Sequence, residues 1–178
     1  DLKLDYVLTD NLCGGYAATR YLIESGHTKI GFSGSIYRSS SFYERYQGYV
    51  KAMHDFSIPI DPSFTTDYAN LHRSDSLPTA FFCCNDPEAI ALYKALEAIG
   101  LRIPDDISVV GFDDIESAAD ISPGLTTIRV EKELMGRKSV QKLLEKISRK
   151  TETPEKILIS TVLVERQSVK HLPAHIAD

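Results

Sequence analysis

Short apolar runs alternate with amphipathic stretches along the chain, and the alternation predicts strands separated by helices. Asp5 to Thr9 reads as a strand that ends at Asp10-Asn11. Gly14-Gly15-Tyr16 opens a helix running to about Ser25. Tyr21, Leu22 and Ile23 lie on its apolar face, and Gly26-His27 closes it. Lys29 to Ser33 is the next strand, Gly34 to Ser41 a polar loop, and Phe42 to Phe56 a helix. Ile58 to Leu77 has neither period. Pro78 to Cys84 is a strongly apolar strand that Asn85-Asp86-Pro87 ends. Asp86 reads as the cap of a helix from Glu88 to Ile99, with Pro87 near its first turn. Ile107, Val109 and Val110 form a strand that gives way to Gly111-Phe112-Asp113-Asp114. A loop from Ile115 to Gly124 follows, then an extended Leu125 to Val130. Glu131 to Ser148 is a helix with Leu134, Val140, Leu143, Leu144 and Ile147 on one side. Ile157 to Val164 is a last strand, and Val169 to Asp178 a loose tail.

Strands separated by helices of this length imply right-handed crossovers and a parallel sheet. Their runs are apolar throughout rather than alternating, as in strands covered on both faces. Ligands of open α/β sheets bind outside the carboxyl ends of the strands. Asn85 and Asp113 both fall at such ends, and so point to a site. Each also fits an ordinary turn residue. Arg45 falls at the start of its helix, where the dipole prefers anions. It is either solvent-exposed or held by a carboxylate or ligand.

Apolar residues make up 43% and charged residues 25% of the 178, as expected of a globular chain. The net charge is −5, whereas a domain that binds nucleic acid by itself carries a basic face. The cluster from Arg137 to Lys150 is interleaved with Glu145 and reads as a solvated helix face. No direct DNA contact is expected. No apolar run has transmembrane length, so no membrane partner is expected either. Cys13, Cys83 and Cys84 have neither zinc nor disulfide-framework spacing, and a reducing cytoplasm is their simplest setting. Gly14-Gly15 lacks the phosphate-loop pattern, and no cofactor or metal motif appears. Asp113-Asp114 with His27 or His54 is the sole acid–base set to consider. No serine elbow, Cys–His pair or metal spacing supports it, so no enzyme is expected.

Several blocks in order carry a resemblance: Asp10-Asn11 with Gly14-Gly15-Tyr16, Gly26-His27, Arg45 with Gly48-Tyr49, and Pro78 to Phe81 with Asn85-Asp86. The most specific is Ile103 to Asp114. Pro123 with Leu125 to Ile128, and Met135-Gly136, follow. From about Tyr6 to Ser168 the chain resembles the lactose-repressor (LacI/GalR) family. The resemblance implies a periplasmic-binding-protein-like α/β fold, a parallel sheet flanked by helices, here mostly the C-terminal lobe. It implies the effector-sensing domain of a bacterial transcription regulator, a repressor, that binds a small sugar and allosterically controls an attached DNA-binding domain. A pentose is one candidate. Operator DNA would be reached only through a missing N-terminal domain, and the protein would be a cytoplasmic homodimer. The alternative is a periplasmic sugar-binding protein of a transporter, which needs a signal peptide and an oxidising compartment. The family's ligand contacts carry over onto Arg45, Asn85 and Asp113, with Asp10 near the lobe junction. Phe32, Tyr37 and Tyr43 are candidates to cover a ring.

The expected domains are 8–128 plus 157–168 as the C-terminal lobe, 1–7 plus 129–156 as a remnant of the N-terminal lobe, and 169–178 as a tail. The DNA-binding domain and the first strand–helix repeats are absent by this reading, which leaves the helix Glu131–Ser148 without a sheet to cover. The family carries a further helix where this chain has Phe64 to Leu77.

Overall fold

The structure, a computed structural model, describes residues 4–66, 77–149 and 153–173. The alternation expected from the apolar pattern holds: β1 (Tyr6–Thr9), α1 (Asn11–Glu24), β2 (Ile30–Ser33), α2 (Ser40–Asp55), β3 (Thr65–Thr66), β4 (Ala80–Cys83), α3 (Asp86–Ala98), β5 (Ser108–Asp113), α4 (Glu116–Asp120), β6 (Thr126–Arg129), α5 (Lys132–Arg149), β7 (Lys156–Ile159) and β8 (Val162–Val164). Six strands form one sheet in the order β3-β2-β4-β5-β6-β8, parallel except for β8 against β6.

The unalternating strands are explained by cover on both faces. Ala80, Phe81, Phe82 and Cys83 of β4 are all fully buried. Phe82 joins Phe32, Phe112, Leu22 and Tyr49 in a core under α1 and α2. Phe81 and Cys83 join Leu92, Leu96, Val109 and Leu125 in a second core under α3. Burying side chains of this size stabilises by roughly 1.5–3 kcal/mol each. This is a periplasmic-binding-protein-like α/β fold with its sheet between two helical layers.

Helices α1 and α2 pack closely enough that a Cβ on Gly15 would overlap the Arg45 carbonyl. One on Gly48 would overlap the Leu12 carbonyl and the Tyr16 nitrogen. Gly14-Gly15 lies inside α1 rather than opening it, because Asp10 accepts from the Cys13 N–H and starts the helix earlier.

Three other expectations change. Ile157 to Val164 is two strands in two sheets: β7 pairs with β1 in a separate parallel sheet, while β8 joins β6. Residues 8–9 and 157–159 therefore belong to the small sheet, and α5 does have a sheet to lie over, since it packs on β1. A cavity of about 420 Å³ remains between them, lined by Leu4, Val7 and Leu143 among others. Val140, Leu144 and Ile147 of α5 are exposed. Finally, the stretch from Val169 is no loose tail as far as Leu172. Ser168 and Val169 are buried, Lys170 N donates to Ser108 Oγ, and Leu172 N donates to the Ser25 carbonyl. The stretch Phe64 to Leu77, read as irregular where the family carries a further helix, lies largely outside the described residues.

Gly48→Ala places a methyl against backbone that cannot swing away. We expect it to lower stability by about 1–3 kcal/mol, although Ala is about 1 kcal/mol the better helix former. Urea unfolding checks this, and an unchanged midpoint would mean that α1 and α2 separate at little cost.

Candidate functional site

The carboxyl ends of β2, β4 and β5 bring together Ser33, Cys84, Asn85 and Asp113, and α2 delivers Arg45 beneath them. Arg45 lies in the second turn of its helix, one turn further in than the sequence suggests. Its side chain is 7% exposed. Nε donates to Asn11 Oδ1 at 3.0 Å, Nη1 to the Cys84 carbonyl at 2.6 Å, and Nη2 to Asp113 Oδ1 at 3.0 Å. The guanidinium carbon sits 3.7 Å from the centre of the Phe112 ring, a cation–π contact. Asn11 is fixed in turn by its Nδ2, which donates to Glu44 Oε2 at 3.0 Å.

Asp113 is more open, with 27% of its side chain exposed. Burial pushes its carboxyl above the ordinary value, and the Arg45 charge and hydrogen bond offset this only in part. Burial likewise draws Arg45 below its ordinary value against the pull of Asp113. A guanidinium remains charged even so. Among the described residues, Asp113 Oδ2 takes no hydrogen-bond partner.

Asn85 is the true N-cap of α3, accepting from Glu88 N at 2.9 Å. Its Nδ2 takes no partner among the described residues. The structure thus joins Arg45 and Asp113 directly. It brings Asn85 alongside through the Cys84 carbonyl that Arg45 holds. Asp10 caps α1 next to Asn11 and does not itself bond to Arg45 or Asp113.

Sequence reasoning assigned Asp86 to capping; instead it is fully buried. Its carboxylate accepts from Thr127 Oγ1 and from Ile115 N at 2.9 Å. Burial pushes its pKa up to about 6; the two donors counter this, and nearby Asp113 and Asp114 add to the rise. A polar residue just before Pro at a helix start gives the same sequence signal whether it caps or buries. Asp114 was read only as part of a pair. It binds Arg129 and Arg166, each at 2.7 Å. Burial alone would raise Asp114, but the two arginines outweigh it and hold the carboxyl below its ordinary value.

Of the ring-cover candidates, Phe32 is fully buried against Tyr46 and Phe82 and covers no ligand. Tyr37 is 88% exposed and stacks on Tyr43 at 6.2 Å. His27 is buried at the opposite end of the sheet, bonded to Thr79 Oγ1 and the Lys170 carbonyl. His54 is on the surface beside Asp55. Neither meets Asp113. Among the described residues no group of three or more His, Cys, Asp or Glu could hold a metal ion, and no helix is long and apolar enough to cross a membrane.

A sequence model of the periplasmic binding protein-like domain matches residues 19–169. The chain belongs to the LacI/GalR family. An HTH-type transcriptional repressor PurR of Histophilus somni (strain 129Pt) is 37% identical over 94% of this chain and 54% of the relative. A ribose operon repressor of Haemophilus influenzae is 35% identical over 97% of this chain and 55% of its own length. Among solved structures, a LacI family transcriptional regulator from Enterococcus faecium with bound ribose superposes with a TM-score of 0.87 at 29% identity, covering 97% of this chain and 68% of that one. A complex of the transcriptional regulator CelR with cellobiose superposes at 0.85 with 31% identity, covering 93% of this chain and 54% of that one. This LacI/GalR chain spans about half the length of the curated relatives it matches. Both of these curated relatives are named as repressors.

The raised Asp86 pKa has a definite sign. Between about pH 4 and 6 the folded protein holds a proton that the unfolded chain has released, so stability falls as pH rises through that window and then levels. In Asp86→Asn the amide oxygen takes the Ile115 N–H and the NH₂ donates to Thr127 Oγ1. We expect that variant to lose the falling limb, which is worth roughly 2–3 kcal/mol at most. Urea midpoints at pH 4 and 7 check this; an identical pH slope in both proteins would rule it out.

Proposed function

We propose that this chain is the effector-sensing part of a transcription repressor, and that its strand-end site takes a small sugar. The observation that carries the reading is the Arg45–Asp113 pair at the carboxyl end of β5. Arg45 puts three of its five N–H donors on protein acceptors and is almost buried, whereas Asp113 keeps one oxygen unpartnered and partly exposed. A fixed carboxylate oxygen beside a free amide NH₂ on Asn85 accepts from, and donates to, neighbouring hydroxyls. Arg45 aims the carboxylate instead of meeting the ligand itself.

The relatives support the sugar class: one is named for the ribose operon, and neighbouring structures hold ribose and cellobiose. Ribose is the ligand we favour, with Arg45, Asn85, Asp113 and Asp10 as the site and its border. The net charge of −5 leaves operator DNA to a separate domain of the full protein. The same reading makes that protein a cytoplasmic homodimer. The names of the relatives, repressors rather than transport proteins, favour regulation over the transport alternative.

Titrating the full-length protein with ribose, cellobiose and glucose while recording its melting temperature tests this. Ligand at a hundred times its Kd adds about 2.7 kcal/mol, so the melting temperature climbs with ribose concentration. Asp113→Ala removes a charged hydrogen bond worth about 1.5–3 kcal/mol and should weaken ribose by at least about tenfold. No shift with any of the three sugars would overturn the sugar reading.

A further inference from the structure

The chain passes between the six-stranded sheet and the small β1–β7 sheet three times. It leaves β1 for α1 at Asp10, leaves β6 for α5 after Arg129, and returns from β7 to β8 near Thr161. Two of these passages are tied to one turn, which also holds the strand end beyond β8. Asn11, at the first, is bonded by Arg45, which is bonded by Asp113. Arg129 is the last residue of β6 before the second, and its Nε donates to Asp114 Oδ2. Arg166, two residues past β8, donates through Nη2 to Asp114 Oδ1 and through Nη1 to the Leu125 carbonyl.

That turn is also strained. Asp113 has φ +110° and Asp114 φ +48°, in the region that side chains disfavour. Such residues persist where their surroundings over-determine them, and strain of this kind clusters at sites that must be held in one arrangement. The Asp114 side chain is only 10% exposed.

We propose that Asp114 is a positioning residue that fixes the small sheet and α5 against the six-stranded sheet. One carboxylate grips the root of the β6–α5 passage and the strand end beyond β8, while its neighbour Asp113 reaches the β1–α1 passage through Arg45. The turn that presents Asp113 thereby also sets how the two sheets stand to each other. A brace confined to the six-stranded sheet would make the same bonds with Arg129 and Arg166. The difference is whether loosening them moves α5.

The test uses the full-length protein without sugar, so its outcome does not depend on the ligand reading. Spin labels go on cysteines placed at Glu97 of α3 and Lys138 of α5, both exposed, in a Cys13→Ser background; Cys83 and Cys84 are buried. We expect one narrow label distance in the parent and a shifted or broadened one in Asp114→Asn. Arg129→Gln should do the same, and the double variant should add little, because both remove one contact. Arg129→Lys, which keeps a cation, should restore most of the narrow distance. If Asp114→Asn does not fold, Arg129→Gln carries the test alone, since that side chain is 47% exposed and its loss leaves the core intact. An unchanged distance in folded variants, even with a lowered melting temperature, overturns the proposal.

Discussion

A guanidinium with almost no exposed surface constrains everything around it. Taking such a charge out of water costs several kcal/mol even after relaxation, and only well-placed acceptors offset that. Arg45 finds three, each on a different element: the Asn11 amide at the start of α1, the Cys84 carbonyl past β4, and the Asp113 carboxylate at the end of β5. Phe112 supplies an aromatic face beneath it. These groups meet one side chain only if α1 lies close on α2 and β4 and β5 pair in the observed register. The glycines at the α1–α2 crossing belong to the same requirement, because a wider crossing would take Asn11 out of reach.

Three carboxylates crowd the same corner and are kept apart by their partners. Asp113 is matched to Arg45, and Asp114 to Arg129 and Arg166. Burial pushes the pKa of Asp86 up, and its neutral donors, Thr127 and Ile115, offset this only in part. Gly111 fits this arrangement, since a Cβ there would collide with the Asp86 carboxylate. The corner holds three ion pairs and one acid that resists ionisation. A ligand arriving at Asp113 meets a carboxylate whose orientation is already fixed and whose charge is only partly spent.

Much of this was legible in the sequence. Strand–helix alternation, unalternating apolar runs and the strand-end placement of Asn85 and Asp113 follow from periodicity and the geometry of parallel sheets. For Arg45 the helix dipole left solvent exposure and a carboxylate or ligand partner equally open, and the structure gives it the carboxylate. Other features left no local trace. Ile157–Ile159 and Val162–Val164 have similar composition, with no Gly or Pro between them, yet they lie in different sheets; periodicity reports a strand but not its neighbour. The stretch from Val169 reads as a tail, but Lys170 bonds back to β5 and Leu172 to Ser25. Asp86 and Asn85 exchange roles because a cap and a buried acceptor look alike beside Pro87.

Arg45 and Asp113 are bonded to each other at one strand end, but their exposures separate their roles. At 7% against 27%, the arginine is structure and the carboxylate is surface. A hydroxyl that bonds Asp113 Oδ2 leaves the Oδ1–Arg45 bond in place, so the site admits ligand without first breaking its own scaffold. Drawing charge toward Oδ2 still weakens what Oδ1 offers Arg45, and through Arg45 what Asn11 receives at the exit of β1. The Asp113 carboxylate and the root of a connection between the two sheets already share one guanidinium.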